Sequence, residues 1–308
     1  MKIKTTMQLT NILTGLTRPA FWLMTTAWAM ALATPGLAQG PVVQNGDSIA
    51  FLGDSITEGG WNSPVGYVRL VLSGLESSGL KARAIPAGVS GHKSNNMLER
   101  LRRDVLDKKP TWMTLSCGVN DVWHGANGVP LPQYKTNITS IIDQAQAAGI
   151  KVMVLTATMI GEDPTNANNR KLAAYNDFLR ALAKEKGCLL ADPNADMQAG
   201  LAAADEATRK QGNLFTSDGV HMNPQGNMLM ASSVLRAFAL TGAQILNAKE
   251  VWMSIPNGID LSGRRGVSMK QFEQLKVLAA QRKCSVAELV NTAFSETIRT
   301  LLKTAAQQ

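Results

Sequence analysis

The stretch Ser48-Ile49-Ala50-Phe51-Leu52-Gly53-Asp54-Ser55 decides how this chain is read. Ser48–Leu52 is a short, almost wholly apolar run closed by a glycine, a carboxylate and a serine. A run of that length bounded by turn residues reads as a buried strand, so the Ser55 hydroxyl falls at a strand tip. Four more such runs follow: Ala82–Ile85, Trp112–Ser116, Ile150–Thr156 and Cys188–Ala191. Between them, Tyr67–Leu75, Met97–Leu106, Ile138–Ala148 and Leu172–Leu182 repeat apolar residues at helical spacing, and Gly79, Gly149 and Gly187 follow three of these as terminators. Strands that are apolar throughout and alternate with helices predict an α/β fold, a five-stranded parallel sheet covered on both faces. Such sheets hold ligands beyond the carboxyl ends of their strands. Ser55, Gly91 and Asn120 all follow such ends, so topology alone carries three distant segments to one rim.

A serine hydroxyl is neutral at pH 7 and becomes a nucleophile only beside a base. The chain has three histidines, His92, His124 and His221, and only His221 has a carboxylate at suitable spacing, in Asp218-Gly219-Val220-His221. Asp218 can accept from one ring nitrogen while the other faces the serine. Asn223-Pro224 immediately after reads as a helix cap and first helical residue, which pins the loop. Two turns, Gly88-Val89-Ser90-Gly91 and Gly118-Val119-Asn120-Asp121, suit an oxyanion: the Ser55 amide, the Gly91 amide and the Asn120 side-chain amide are the candidate donors. Taken alone, the Asp-x-x-His pair reads more readily as an ordinary surface loop and either turn equally as strand-to-helix punctuation; their combination points to acyl transfer.

In this order the motifs resemble the SGNH (GDSL-type) hydrolases. The resemblance covers residues 47–243 and rests on Gly53-Asp54-Ser55-Ile56-Thr57-Glu58-Gly59-Gly60, Val89-Ser90-Gly91, Gly118-Val119-Asn120-Asp121 and Asp218-Gly219-Val220-His221. It implies a flavodoxin-like three-layer α/β/α fold and ester hydrolysis without metal or cofactor. Ser55 would be the nucleophile, His221 the base, Asp218 the orienting carboxylate, and Ser55, Gly91 and Asn120 the oxyanion hole. One departure is Ala87, where many relatives place an asparagine, so the glycine turn must be held in another way.

Other conspicuous residues carry less. Asp54 is read as bracing the turn before the serine. Trp61, Trp123 and His124 follow two of the loops and are candidates to line an acyl or sugar pocket, against plain loop packing. Glu162-Asp163 with Asn166, Asn168 and Asn169 reads as a solvated loop or a polar substrate contact. No histidine has metal-ligand spacing, so no zinc is expected.

The formal net charge is +8. Lys2, Lys4 and Arg18 supply three of these charges and no acid precedes residue 39. Residues 249–308 hold nine Lys/Arg against five acids, which leaves 39–248 near +1, so the basic balance says little about the substrate. Residues 1–38 combine a positive start, the apolar stretch Ala20–Thr34 and a small-residue ending Gly36-Leu37-Ala38, the pattern of a cleaved export signal. The alternative is an uncleaved membrane anchor, since the apolar centre approaches the ~18 residues that span a bilayer. Export predicts a secreted or periplasmic protein, not stably inserted in a membrane once cleaved, and argues against nucleic acid as a partner. Cys117, Cys188 and Cys284 cannot all pair within one chain; a Cys188–Cys284 bridge is the one pairing entertained.

The organisation predicted is a signal (1–38), a hydrolase domain (39–248) and a tail (249–308). In the tail, Val251–Gly266 reads as an irregular connection and two helices follow, started by Ser268 with Gln271 and Ser285 with Glu288. Their apolar faces (Met269, Phe272, Leu275, Leu278; Val286, Leu289, Val290, Ala293, Phe294) cannot stay uncovered, so they pack on the domain, on a second copy in a homodimer, or on another partner. The order of Val267–Leu278 and Ser285–Ile298 also resembles the helix pair of ribbon-helix-helix DNA-binding proteins, a role that export argues against. The function predicted is an exported serine esterase for short acyl, above all acetyl, esters, with carbohydrate as a candidate alcohol. That choice rests on polar residues at the rim, 5% aromatics and no long apolar lid. A lysophospholipase or thioesterase, or a non-catalytic carbohydrate-binding module on the same fold, are the alternatives.

Overall fold

Ile49, Ala50, Phe51 and Leu52 are all fully buried, because strand β1 (Ser48–Gly53) has neighbours on both edges and helices over both faces. Removing one such side chain, as in Phe51→Ala, costs about 3–5 kcal/mol. A computed structural model of the protein describes residues 40–205, 213–255, 259–260 and 266–305. The expected signal segment lies outside the described residues, as do residues 256–258 and 261–265 of the expected connection.

β2 (Arg83–Gly88), β3 (Trp112–Ser116), β4 (Lys151–Leu155) and β5 (Leu189–Ala191) complete a five-stranded sheet in the order β2-β1-β3-β4-β5. Every pairing is parallel. The chain steps from β1 out to β2 and then returns to the other side of β1 as β3. This reversal opens a crevice at the carboxyl ends of β1 and β3.

The helices lie where sequence periodicity put them, with shifted ends: α2 (Tyr67–Ser77), α3 (Ser94–Asp104), α5 (Leu131–Ala147) and α6 (Ala167–Glu185). Gly79, Gly149 and Gly187 follow α2, α5 and α6 at φ 80°, 75° and 62°, the left-handed turn that ends a helix. Two short helices, α1 (Ser55–Asn62) and α4 (Val119–Trp123), begin directly at the motif turns. The helix α7 (Pro193–Ala203), capped by Asp192, has no clear apolar stripe and was not legible as a helix. α8 (Pro224–Ala237) starts at Asn223, whose side chain accepts from the Gly226 amide at 3.0 Å.

The helix α9 (Gly242–Met253) crosses the boundary placed at 248 and occupies the first residues of what reads as an irregular connection. A reciprocal cap between Thr241 and Gln244 starts it. Ile245, Ala248 and Trp252 then bury one face. A Cβ on Gly74 of α2 would stand 2.5 Å from Leu235 and 3.2 Å from Trp252, so α2, α8 and α9 pack too closely for a side chain there. Beyond it, β6 (Ile259–Asp260) pairs antiparallel with β7 (Gly266–Val267).

α10 (Met269–Gln281) and α11 (Val286–Ala305) begin at Ser268 and Ser285. Met269, Ala279 and Leu289 are buried, whereas Val277, Phe294 and Ile298 are exposed. The outward side of α11 is therefore uncovered. Cys117, Cys188 and Cys284 are all free thiols. Among the described residues no helix is long and apolar enough to cross a membrane.

Candidate active site

Ser55 is the first residue of α1, placed there by the end of β1. Asp54 caps the helix, its Oδ1 accepting from the Ile56 amide at 3.0 Å, so it braces the turn as its sequence position implied. Burial pushes the Asp54 carboxyl up to about 6, helped by the nearby Asp121 charge. Asp121 is itself buried and raised by that burial; its oxygens accept from the Ser94 hydroxyl (2.6 Å) and amide (3.0 Å).

His221 reaches Ser55 from the loop before α8. Its Nε2 lies 3.0 Å from Ser55 Oγ and its Nδ1 lies 2.6 Å from Asp218 Oδ2. The other Asp218 oxygen accepts from the Val220 and His221 amides at 2.9 and 2.8 Å. Gly219, at φ 94°, lets the chain fold back so that one carboxylate serves both amides and the ring. Partial burial raises the Asp218 pKa, but the bonds from the His221 ring and from the two amides outweigh it and hold the carboxyl at about 2. An ionised carboxylate only accepts, so the Nδ1 proton points at Asp218 and the Nε2 lone pair faces the serine hydroxyl.

The candidate oxyanion donors converge on the same rim. Among the described residues no acceptor takes the amide of Ser55 or of Gly91. Asn120 is buried on the first turn of α4, and its Nδ2 donates to the His92 carbonyl at 3.1 Å, which leaves one of its two hydrogens unused. The glycine turn with Ala87 in place of an asparagine is held by Glu58: its Oε2 accepts from the Ser90 amide at 3.0 Å and from the Ser90 hydroxyl. Gly88 makes this approach possible, since a Cβ there would lie 2.3 Å from the Glu58 nitrogen.

A cleft of about 340 Å³ opens beside Ser55 and His221, walled by Ile56, Gly60, Val65, Met222 and Asn227 among others. Trp61, Trp123 and His124 are not among the described residues that line it. Trp61 is covered by the Arg69 guanidinium 4.0 Å above its ring. Trp123 is 44% exposed, beside His124, on the rim behind Asn120. Glu162 is part-buried and its carboxylate is taken up by the His221 loop, while Asp163 beside it stays exposed. Its Oε1 accepts from the Phe215 and Thr216 amides (2.7 Å each) and its Oε2 from the Leu214 amide (2.5 Å). With the Gly161 amide donating to Gly219 O at 2.6 Å, the loop after β4 anchors the His221 loop.

Sequence reasoning quoted Glu58 and Glu162 without their anchoring roles and missed Arg100 altogether. Arg100 left one signal: a guanidinium standing on the inward stripe of α3, between buried Met97 and Leu101.

The family model of the GDSL-like lipase/acylhydrolase family matches residues 51–229. The chain is 25% identical over 213 residues to an acetylxylan esterase of Geobacillus stearothermophilus, covering 63% of this chain and 94% of that protein. It is 29% identical over 140 residues to Esterase TesA of Pseudomonas aeruginosa, covering 45% and 66%. Among solved structures, the acetylxylan esterase Axe2 of Geobacillus stearothermophilus superposes with a TM-score of 0.57 at 24% identity, covering 65% of this chain and 97% of that one. The acetyl xylan esterase AlAXEase does so with a TM-score of 0.57 at 31% identity, covering 62% and 98%.

Proposed function

We propose that this chain, which belongs to the GDSL-like lipase/acylhydrolase family and is a serine ester hydrolase, removes short acyl groups, above all acetyl, from hydroxyls of a carbohydrate outside the cytoplasm. The observation that carries the reading is the unbroken line from Asp218 through His221 to Ser55, at 2.6 and 3.0 Å. In it Ser55 is the nucleophile, His221 the general base and Asp218 the carboxylate that holds the ring.

As the Ser55 oxygen bonds to the ester carbon, its proton passes to His221 Nε2. The carbonyl oxygen takes up the negative charge, facing the Ser55 and Gly91 amides and the spare Asn120 hydrogen. His221 returns the proton to the departing alkoxide as the carbon–oxygen bond breaks, leaving an acyl-enzyme. Water then attacks that carbonyl, giving a proton to Nε2, and the acid leaves as Ser55 recovers its hydrogen. Acetyl is favoured by relatives named acetylxylan esterase. Trp123 and His124, exposed behind Asn120, are the surface assigned to the sugar. Export rests on the composition of residues 1–38.

Fluorophosphonate labelling followed by peptide mapping tests the nucleophile: the adduct should sit on Ser55, and Ser55→Ala should abolish both labelling and turnover. An adduct elsewhere, or hydrolysis surviving in that variant, overturns the assignment. A ladder of p-nitrophenyl esters set beside acetylated xylo-oligosaccharides tests the substrate class. Preference for long chains would replace acetyl with a lysophospholipase- or thioesterase-like specificity.

A further inference from the structure

Arg100 is buried, and each nitrogen of its guanidinium donates to an acceptor on a different part of the rim. Nη2 donates to the Gly53 carbonyl at 2.8 Å and Nη1 to the Ala87 carbonyl at 2.8 Å. Nε donates to His92 Nδ1 at 3.0 Å, and Nη1 also meets Asp104 Oδ2 at 3.0 Å. Gly53 stands two residues before Ser55. Ala87 is the last residue but one of β2, on the way to Gly91, and His92 follows Gly91. The His92 carbonyl is in turn the acceptor for Asn120 Nδ2. All three segments that present candidate oxyanion donors are thus tied, directly or through His92, to one planar cation.

We propose that Arg100 is a positioning residue that sets the spacing of the three oxyanion donors by clamping the ends of β1 and β2 and the turn that holds Asn120. The inference rests on the functional reading above. Donors aimed in advance at the developing charge need no reorganisation during reaction, so a clamp that holds them acts on the transition state more than on substrate binding. Arginine is suited to this because its rigid fork spans several acceptors at once, whereas a lysine offers one flexible point charge. Arginine has no lone pair to offer, so His92 Nδ1 must be unprotonated and the ring neutral. Burial, and then the Arg100 charge, push the His92 pKa down, in keeping with that. Asp104 matches the cation without touching the rim. Sheet register alone does not supply this fastening: β1 pairs with β2 as far as Gly53–Gly88 and with β3 only as far as Leu52–Leu115, so the ladder stops short of the turns that carry Gly91 and Asn120.

Arg100→Lys, Arg100→Ala and His92→Leu, in the full chain, test the inference. His92 is only partly buried, so its variant reports even where the Arg100 variants do not accumulate folded. With p-nitrophenyl acetate, Arg100→Ala should lower kcat by about 10²-fold and His92→Leu by about tenfold, with KM within threefold of the parent. Fluorophosphonate labelling, which also develops charge on oxygen, should slow in parallel. Millimolar guanidinium should restore part of kcat in Arg100→Ala and urea none, and Arg100→Lys should stay closer to Ala than to the parent. A folded Arg100→Ala with kcat within threefold of the parent, or a His92→Leu loss confined to KM, overturns the proposal. If Ser55→Ala keeps hydrolysing, the underlying reading fails instead, so the two failures are distinct.

Discussion

Replacing Asp218 by asparagine is the sharpest perturbation of this site. One carboxylate oxygen accepts from two backbone amides at 2.9 and 2.8 Å, and the other accepts from the His221 ring at 2.6 Å. An asparagine there can place only its carbonyl oxygen against the two amides, because its NH2 would set hydrogen against hydrogen. The NH2 is then forced to face His221 Nδ1, which must accept, so the ring proton moves to Nε2. A protonated Nε2 donates to Ser55 and cannot take its hydrogen. By analogy with the serine-protease triad, the loss should be ~10⁴-fold in kcat, about 5.4 kcal/mol of barrier. Asp218→Ala leaves the ring free to choose its tautomer, and this exposed site admits water to the two amides, so its loss should be smaller, ~10²-fold. The assay is p-nitrophenyl acetate turnover at pH 8, with thermal melting to show both variants folded. An asparagine variant within tenfold of the parent, or one milder than the alanine variant, would refute the tautomer argument.

Other outcomes follow from the surrounding contacts. Asp54 has a folded pKa near 6 against an ordinary 3.8, so the native state binds more protons between those values and stability should fall as pH rises through them, by about 3 kcal/mol. Asp218, held at about 2, acts with the opposite sign and loses its contribution as pH falls from about 4 toward 2. Melting curves against pH should therefore lose their decline above pH 4 in Asp54→Asn, which can keep the cap to the Ile56 amide. Glu162→Gln turns an NH2 toward amides that now find an acceptor and should cost about 1–3 kcal/mol in urea unfolding; no change would mean the His221 loop does not need that anchor. Trp123→Ala should lower kcat/KM roughly fivefold, about 1 kcal/mol, on acetylated xylo-oligosaccharides but not on p-nitrophenyl acetate. Phe294 and Ile298 stand exposed on α11, and a second copy of the chain packed there would cover them. Light scattering should report a dimer for the parent and a monomer for Phe294→Asp, and a monomeric parent would remove that pairing.

The chain's own pattern determined the sheet and the motif order. Apolar runs such as Ile49–Leu52 have no exposed face to spend on polar residues, and the parallel arrangement follows from that composition. The Ser55, Gly91 and Asn120 positions were legible because strand-end topology carries them to one rim whatever the loops do, and the Asp218–His221 pair from its own spacing. Tertiary structure decided what holds the rim together. Arg100 lies 47 residues from Gly53, and Glu162 lies 52 residues from Leu214. Most of their partners are backbone carbonyls and amides, which nearly every residue possesses and which leave no mark in a sequence. The same holds for α9, whose Trp252 packs against Gly74 of a distant helix, where a side chain would crowd it. A side chain's type states what it can bond; only the folded chain states which backbone group stands within reach.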